Sequence, residues 1–434
     1  MLLTLTRLQV SYYVLNLMNL GDRMKSVKMS LVAVLLLGAN VYAADNVKVG
    51  GDAKLFYGTQ GETLNGAAEK DIFNKSASYA DFGFTLGVTA DLMENVKAGG
   101  KVQIVSTLGL EHEIATAPWS SAHSSSSGVL NTTEWVSEGW LEGKLGNTTG
   151  KIGRMTLDTP LAFTETWSVD YNTFEAVVVS NEDIPDTTLS GMFIAQSNGY
   201  ADDLPSPAAG SITSTGGAFN TFGSGGAYVI GATNNSIKPL TAQAWYYDLP
   251  NTADAVWLQA DLDYDGILAG AQYVNIDRTS ATDNDIAYAL KLGYAIPDVV
   301  TVTAAYSSVD DKSPTGVANM ATEGQNAGAA SSLYTEYWWW FATASAPGSD
   351  TMMLSAESTV YDVDLFLGLY SSDIQPSGAS KQEVDEITFT ASKSCGPVDT
   401  SLALIYDMFD QDAPKPTTYM KDLSTVQVYL TYNY

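Results

Sequence analysis

Side chains able to do covalent or metal chemistry are scarce in this chain: two histidines, His112 and His123, and one cysteine, Cys395. No Ser or Cys nucleophile sits beside a recognisable base motif, so an enzyme is not expected. Glu111-His112-Glu113 with His123 matches no established ligand spacing and reads as a solvated polar loop. No twelve-residue calcium loop is present either, so no metal or other cofactor is expected. Cys395, in the turn Ser394-Cys395-Gly396-Pro397, has no second cysteine with which to form an intrachain disulfide. What the sequence does concentrate is charge. Between Lys151 and Lys238 the one basic residue is Arg154, against Asp158, Glu165, Asp170, Glu175, Glu182, Asp183, Asp186, Asp202 and Asp203. Carboxylates around a narrow, partly dehydrated passage favour cations, because each charge acts more strongly there than in bulk water.

The elements that must position these charges are strands. The chain has 434 residues, 45% hydrophobic but only 16% charged, below the roughly 25% of ordinary globular proteins. Apolar residues alternate at period two: Phe82, Phe84, Leu86, Val88, Ala90 and Leu92 are interleaved with Gly83, Thr85, Gly87, Thr89 and Asp91. After the turn Met93-Glu94-Asn95 the pattern resumes, with Lys97, Gly99, Lys101 and Gln103 on the polar side. Similar runs recur to the last residue, where Val426, Val428, Leu430, Tyr432 and Tyr434 share one face. Eighteen strands can be placed, near 46–59, 80–92, 96–108, 134–145, 150–155, 174–180, 187–198, 227–233, 240–248, 254–264, 267–276, 285–294, 299–307, 350–356, 360–370, 384–392, 398–407 and 424–434. Sixteen is the alternative. An even number suits a closed antiparallel transmembrane barrel, apolar face to lipid and polar face to an aqueous lumen. The last strand is then expected to pair with Lys48 to Tyr57, which abolishes the sheet edge.

On that parity the lumen is lined by Asp52, Glu138, Glu142, Asp261, Asp263, Asp362 and Asp364, offset by Lys48, Lys54, Lys97, Lys101, Lys144 and Lys291. Tyr334 to Phe341, with three consecutive tryptophans, reads first as a strand end in the interfacial aromatic belt. The second reading is an aromatic face inside the pore.

The N-terminus carries an export address: Lys25 and Lys28, an apolar run from Met29 to Ala39, and Val41-Tyr42-Ala43 as the cleavage site. Residues 24–43 are expected to be a signal peptide, 1–23 a misassigned upstream extension, and 44–434 the barrel. Residues 1–43 hold four basic and one acidic side chain, so the mature net charge moves from -28 to about -31. Such acidity makes nucleic acid an improbable partner, since phosphate binding needs clustered positive charge.

Gly153-Arg154, Leu157-Asp158-Thr159-Pro160, Ser168-Val169-Asp170, Thr173-Phe174 and a Pro-containing turn into Leu189 together resemble the constriction-loop region of OprD-type outer-membrane porins and the related major outer-membrane protein (MOMP) porins. Leu333-Tyr334-Thr335-Glu336 fits the MOMP branch. The resemblance implies an 18-stranded barrel in the outer membrane, usually a homotrimer, whose third outer loop folds into the lumen; residues 156–173 occupy that place in the count. It departs from the family in basic residues: OprD-type pores carry an arginine ladder, whereas the mature chain has only Arg154 and Arg278. The resulting expectation is a water-filled, cation-preferring porin for small hydrophilic solutes, constricted by Arg154, Asp158, Glu165 and Asp170. The alternatives are a substrate-selective channel of the same fold and a non-conducting adhesin or structural barrel.

Overall fold

Alternating sequences of this kind bury one strand face only if the sheet finds something to cover it, and here the sheet closes on itself. In the computed structural model, residues 45–65, 70–110, 114–115, 132–199, 212–213, 215–323, 329–412 and 419–434 are described. The signal-peptide and upstream-extension expectations lie outside them.

Eighteen strands follow one another antiparallel around the ring: β1 (Asp45–Asn65), β2 (Ser78–Met93), β3 (Val96–Ser106), β4 (Thr133–Leu145), β5 (Thr148–Met155), β6 (Phe174–Asn181), β7 (Thr187–Ser197), β8 (Ala227–Asn234) and β9 (Leu240–Leu249), then β10 (Ala253–Tyr264), β11 (Ile267–Arg278), β12 (Asp285–Ile296), β13 (Val300–Val309), β14 (Ser349–Val360), β15 (Val363–Ile374), β16 (Gln382–Cys395), β17 (Val398–Gln411) and β18 (Tyr419–Asn433). The sheet counts nineteen strands, because the two-residue piece Asn220–Thr221 lies beside the end of β7. Closure is made by β1, which pairs with both β2 and β18. Its register with β18 begins at Asp52↔Asn433, a few residues beyond the expected Lys48. The terminal residue finishes the seam: the Tyr434 backbone exchanges two 3.1 Å hydrogen bonds with Gly51, and its ring stacks on Phe84.

Burial runs opposite to that of a soluble sandwich. Inward polar residues such as Thr85, Gln103, Ser137 and Thr388 are covered, while Ile230, Leu290, Leu292 and Met352 on the outer face are more than half exposed. Exposed tyrosines fall near both rims: Tyr264, Tyr294, Tyr361 and Tyr432 by the tight turns, Tyr228, Tyr246 and Tyr288 toward the loop end. That is the girdled apolar band of a membrane barrel.

Tight links of two to five residues join the strands at one rim, with Asn95, Asp298, Asp362, Gly266 and Gly396 in the left-handed backbone region that such turns require. Asp362, expected to line the lumen, is therefore a turn residue rather than a strand residue. The other rim carries the long links, including 107–132, 156–173, 198–226 and 310–348. The links 156–173 and 310–348, the third and seventh at this rim, turn inward, and buried apolar residues of β6–β12 pack against Leu161, Val317 and Leu333 from them.

Candidate functional site

The third loop leaves β5 at a deliberate irregularity. Gly153 has φ 130°, and a Cβ there would lie 2.2 Å from the Gly139 carbonyl oxygen, so only glycine lets β5 sit this close to β4 before the chain turns inward. Two short hairpins follow, Asp158–Thr159 with Ala162–Phe163 and Thr166–Trp167 with Asp170–Tyr171. Thr159 Oγ1 donates to the Ala162 carbonyl at 2.8 Å and tightens the Pro160-Leu161 tip. The Leu161 amide donates to the Tyr247 hydroxyl on the inner wall of β9. On the far side Val169 seats on β2 at Gly83, where a Cβ would approach within 2.7 Å. The loop therefore crosses the lumen and touches the wall at both ends.

The seventh loop meets it there. Glu165 Oε1 accepts Asn319 Nδ2 at 2.8 Å, Thr322 Oγ1 at 2.5 Å and the Ala330 amide at 3.3 Å. Asn319 also brackets Phe163, accepting from its amide and donating to its carbonyl. Ser332 Oγ donates to the Pro160 carbonyl, and the Met320 amide to that of Leu161. Buried charge holds the seventh loop's beginning: Asp285 on β12 accepts Arg278 Nε at 2.5 Å and the Thr315 and Gly316 amides at 2.9 and 2.7 Å. Arg278 also pairs with Glu323 at 2.9 Å, whose carboxyl burial pushes upward in pKa despite that cation. Further on, the Trp339 and Trp340 amides donate to Glu386 on β16.

The aromatic segment is thus not a strand end in the lipid belt, as first expected. Tyr337, Trp338 and Trp340 pack on Met353, Phe366, Tyr370 and Phe409 of the inner wall. The residues between Val309 and Ser349 form no strand among those described, so the segment follows the lumen instead of the sheet.

Two matching triads tether the loops on opposite walls. On β3 and β4, Lys101 Nζ lies 2.8 Å from Glu138, which also accepts the Tyr171 hydroxyl of the third loop at 3.2 Å. On β12 and β10, Lys291 Nζ lies 2.8 Å from Asp261, which accepts the Tyr334 hydroxyl of the seventh loop at 2.7 Å. Each ammonium stands over its tyrosine ring, at 5.5 and 4.2 Å from the centroid. Burial raises the pKa of both hydroxyls, so they remain donors.

The expected constriction residues are distributed across this assembly. Glu165 is buried at the junction of the loops, Asp170 is buried within the third loop, and Asp158 is exposed on the first hairpin. Arg154 reaches none of the three. It bonds Glu175 at 2.8 Å and the Val136 carbonyl at 3.0 Å, with Phe219 4.1 Å from its guanidinium. Lys97, Lys101, Glu138, Glu142, Asp261, Asp263 and Asp364 alternate with outward apolar positions, hence face inward, and Lys97 pairs in register with Glu142. His112 and His123 lie outside the described residues; Cys395 is exposed at the end of β16. Sequence reasoning missed Asn319, Asp285, Glu386 and the Lys291–Asp261–Tyr334 grouping. The signal that could have found them was the length of the 310–348 link, too long for a structureless connection.

No family model matches the chain, and no curated protein matches it in sequence. Solved structures do match. It is similar to Pseudomonas aeruginosa OccK9 (OpdG), with TM-score 0.68 and 12% identity over 90% of this chain and 98% of that one. Acinetobacter baumannii OccAB1 gives 0.67 and 13% over 90% and 97%. Pseudomonas aeruginosa OccK2 (OpdF), solved in complex with glucuronate, gives 0.64 and 11% over 90% and 98%.

Proposed function

With the fold of the Occ structures as premise, we propose that the chain is an outer-membrane channel that passes small hydrophilic solutes selectively, its turn rim toward the periplasm. The carrying observation is the junction at Glu165, where two loops anchored on opposite walls interlock inside the lumen. A passage narrowed by two mutually bonded loops discriminates by shape and by contacts, whereas a wide general-diffusion pore discriminates by size. The likeness to Occ structures, one of them holding glucuronate, supports this selective reading over the general cation-preferring porin that composition alone favours. Inward lysines Lys54, Lys97, Lys101 and Lys151 on β1–β5 give an acidic sugar something to pair with even without an arginine ladder. In plain salt, the surplus of carboxylates still favours cations as the background current.

The barrel is expected to be exported by residues 24–43 and to assemble as a homotrimer. Planar-bilayer recording tests the whole reading. Stepwise conductance that glucuronate blocks or slows in a saturable manner is expected, with a reversal potential on the cation side in a KCl gradient. Solute flux that rises linearly with concentration for all small sugars would return the reading to a general porin; a silent, folded barrel would leave only the structural one.

A further inference from the structure

Two tryptophans of the inner wall lie across a neighbouring strand, and in each case a glycine makes the room. Trp140 on β4 pairs in register with Gly99 on β3, where a Cβ would come within 2.4 to 3.0 Å of indole Cζ2, Cε2 and Cη2. Trp245 on β9 pairs with Gly231 on β8, where a Cβ would come within 2.2 to 2.6 Å of the indole. Both side chains point inward and are half-buried, so each keeps part of its ring toward the lumen.

The two differ in what stands over them. Lys151 Nζ, from β5, is 4.1 Å from the Trp140 ring centroid. Over Trp245, whose Nε1 donates to Gln243 at 2.9 Å, no ammonium stands among the described residues. Lys101 and Lys291 also stand over aromatic rings, but each has a carboxylate at 2.8 Å, Glu138 and Asp261. Lys151 has no ion-pair partner among the described residues, although Glu142 opposes it in register. An ammonium that rests on an indole and has no carboxylate of its own is a charge available to a solute.

The position of this pair matters as much as its chemistry. Trp140 Nε1 lies 3.4 Å from Glu138 Oε2, and Glu138 in turn accepts the Tyr171 hydroxyl and pairs with Lys101. The carboxylate that tethers the third loop to the wall thus also borders the indole. Along β4, Trp140 is nearer the turn rim than Glu138, so the ring meets a solute on the turn-rim side of that loop contact. Lys97 faces inward beside it, opposite Glu142.

We propose that Trp140 and Lys151 form a subsite for a ring-shaped acid, a pyranose carrying a carboxylate, and that the site reads both parts together. This rests on the chain being the solute-selective channel proposed above. An aromatic face attracts either a cation or the C–H face of a sugar ring, and in the empty site the cation holds it. A carboxylate offers the ammonium a charge-assisted hydrogen bond, which is stronger than a half-exposed cation–π contact. The arriving acid therefore draws Lys151 off the indole, and the uncovered face takes the sugar ring. A neutral sugar leaves the lysine in place. An open-chain acid moves the lysine but brings no ring to cover the indole, so both bind more weakly than the cyclic acid.

The test uses the full chain, with sodium glucuronate, sodium gluconate and glucose as cyclic acid, open-chain acid and neutral ring. Block is measured in planar bilayers and binding by titration calorimetry of the detergent-extracted protein, each variant being checked for folding by its heat-dependent gel shift. Trp140→Leu should weaken glucuronate about three- to tenfold, the worth of one aromatic contact, and leave gluconate unchanged. Trp140→Phe should fall between the two, and Trp245→Phe, the ring without an ammonium, should match wild type. Lys151→Met should weaken glucuronate about tenfold, the worth of one charge-assisted bond, and take glucose at least as well as wild type does, because its indole is bare. The proposal falls if folded Trp140→Leu binds glucuronate as wild type does, if wild type binds gluconate as tightly as glucuronate, if Trp245→Phe loses as much, or if wild type binds no glucuronate by calorimetry. Saturable block that persists unchanged in Trp140→Leu would sink the subsite and leave the selective channel standing. Binding that depends on Trp140 and Lys151 but produces no saturable block would support the subsite and count against the channel reading.

Discussion

Replacing Glu165 by alanine removes the acceptor at the place where the two inserted loops meet. Donors from Asn319, Thr322 and Ala330 converge on its Oε1, and the residue is 6% exposed. Orphaning buried donors costs about 1–3 kcal/mol each, less for the long Ala330 contact, so the junction loses about 3–6 kcal/mol. At about 1.4 kcal/mol per tenfold, the closed arrangement gives up about two to four orders of magnitude in its equilibrium against looser ones. Glu165→Gln is the informative companion. Its amide oxygen can stand at Oε1 and keep the same donors, losing only the charge assistance that roughly doubles such bonds, so about half the stabilisation remains. Single-channel recording should show conductance and open-channel noise rising from wild type to Gln to Ala, while the folded-barrel gel shift persists, since no barrel pairing involves this residue. Identical traces for the three proteins would refute the idea that the loop junction sets the passage.

Asp285→Ala leaves Arg278 with Glu323 as its carboxylate partner and strips two amides of the seventh loop of their acceptor; a loss of about 3–5 kcal/mol is expected, read as a lower unfolding temperature and unstable current. Glu336 sits fully within the seventh loop, accepts the Ser331 amide at 2.8 Å, and has its pKa pushed by burial up to about 8 from 4.5. A carboxyl raised in this way favours the folded loop most below pH 4.5 and loses that contribution as pH climbs to about 8; channel noise should therefore grow across that window, and Glu336→Gln should flatten the dependence. Gly153→Ala places a Cβ 2.2 Å from the Gly139 carbonyl at φ 130°, and its strain of at least about 1–3 kcal/mol should appear as slower insertion into vesicles and a lower gel-shift temperature. Lys97→Met, which removes one of the inward lysines of β1–β5, should weaken saturable block by glucuronate more than it changes conductance in plain salt.

Much of the fold was legible in the residues because a membrane barrel repeats one local rule. Alternation with period two, short turns at one rim and a terminal aromatic strand are each read within a dozen neighbours, and the eighteen strands fall close to where that alternation places them. The inward parity of Lys97, Lys101, Glu138, Glu142, Asp261, Asp263 and Asp364 follows from the same rule, and it fails at Asp362 only because a two-residue turn interrupts the strand. The third loop was recognisable by its position between the fifth and sixth strands. Its partner was not. Glu165 and Asn319 stand 154 residues apart, Asp261 and Tyr334 stand 73 apart, and nothing in either local sequence states that the other will be near. Arg154 illustrates the same limit: the carboxylates that follow it in the chain begin with Asp158, but strand register hands it Glu175 on the outer side of the wall. Local sequence determines which face a strand residue takes, because pleating is local; which loops meet across a lumen is decided only when the ring closes and brings distant carboxylates, amides and hydroxyls within hydrogen-bonding distance.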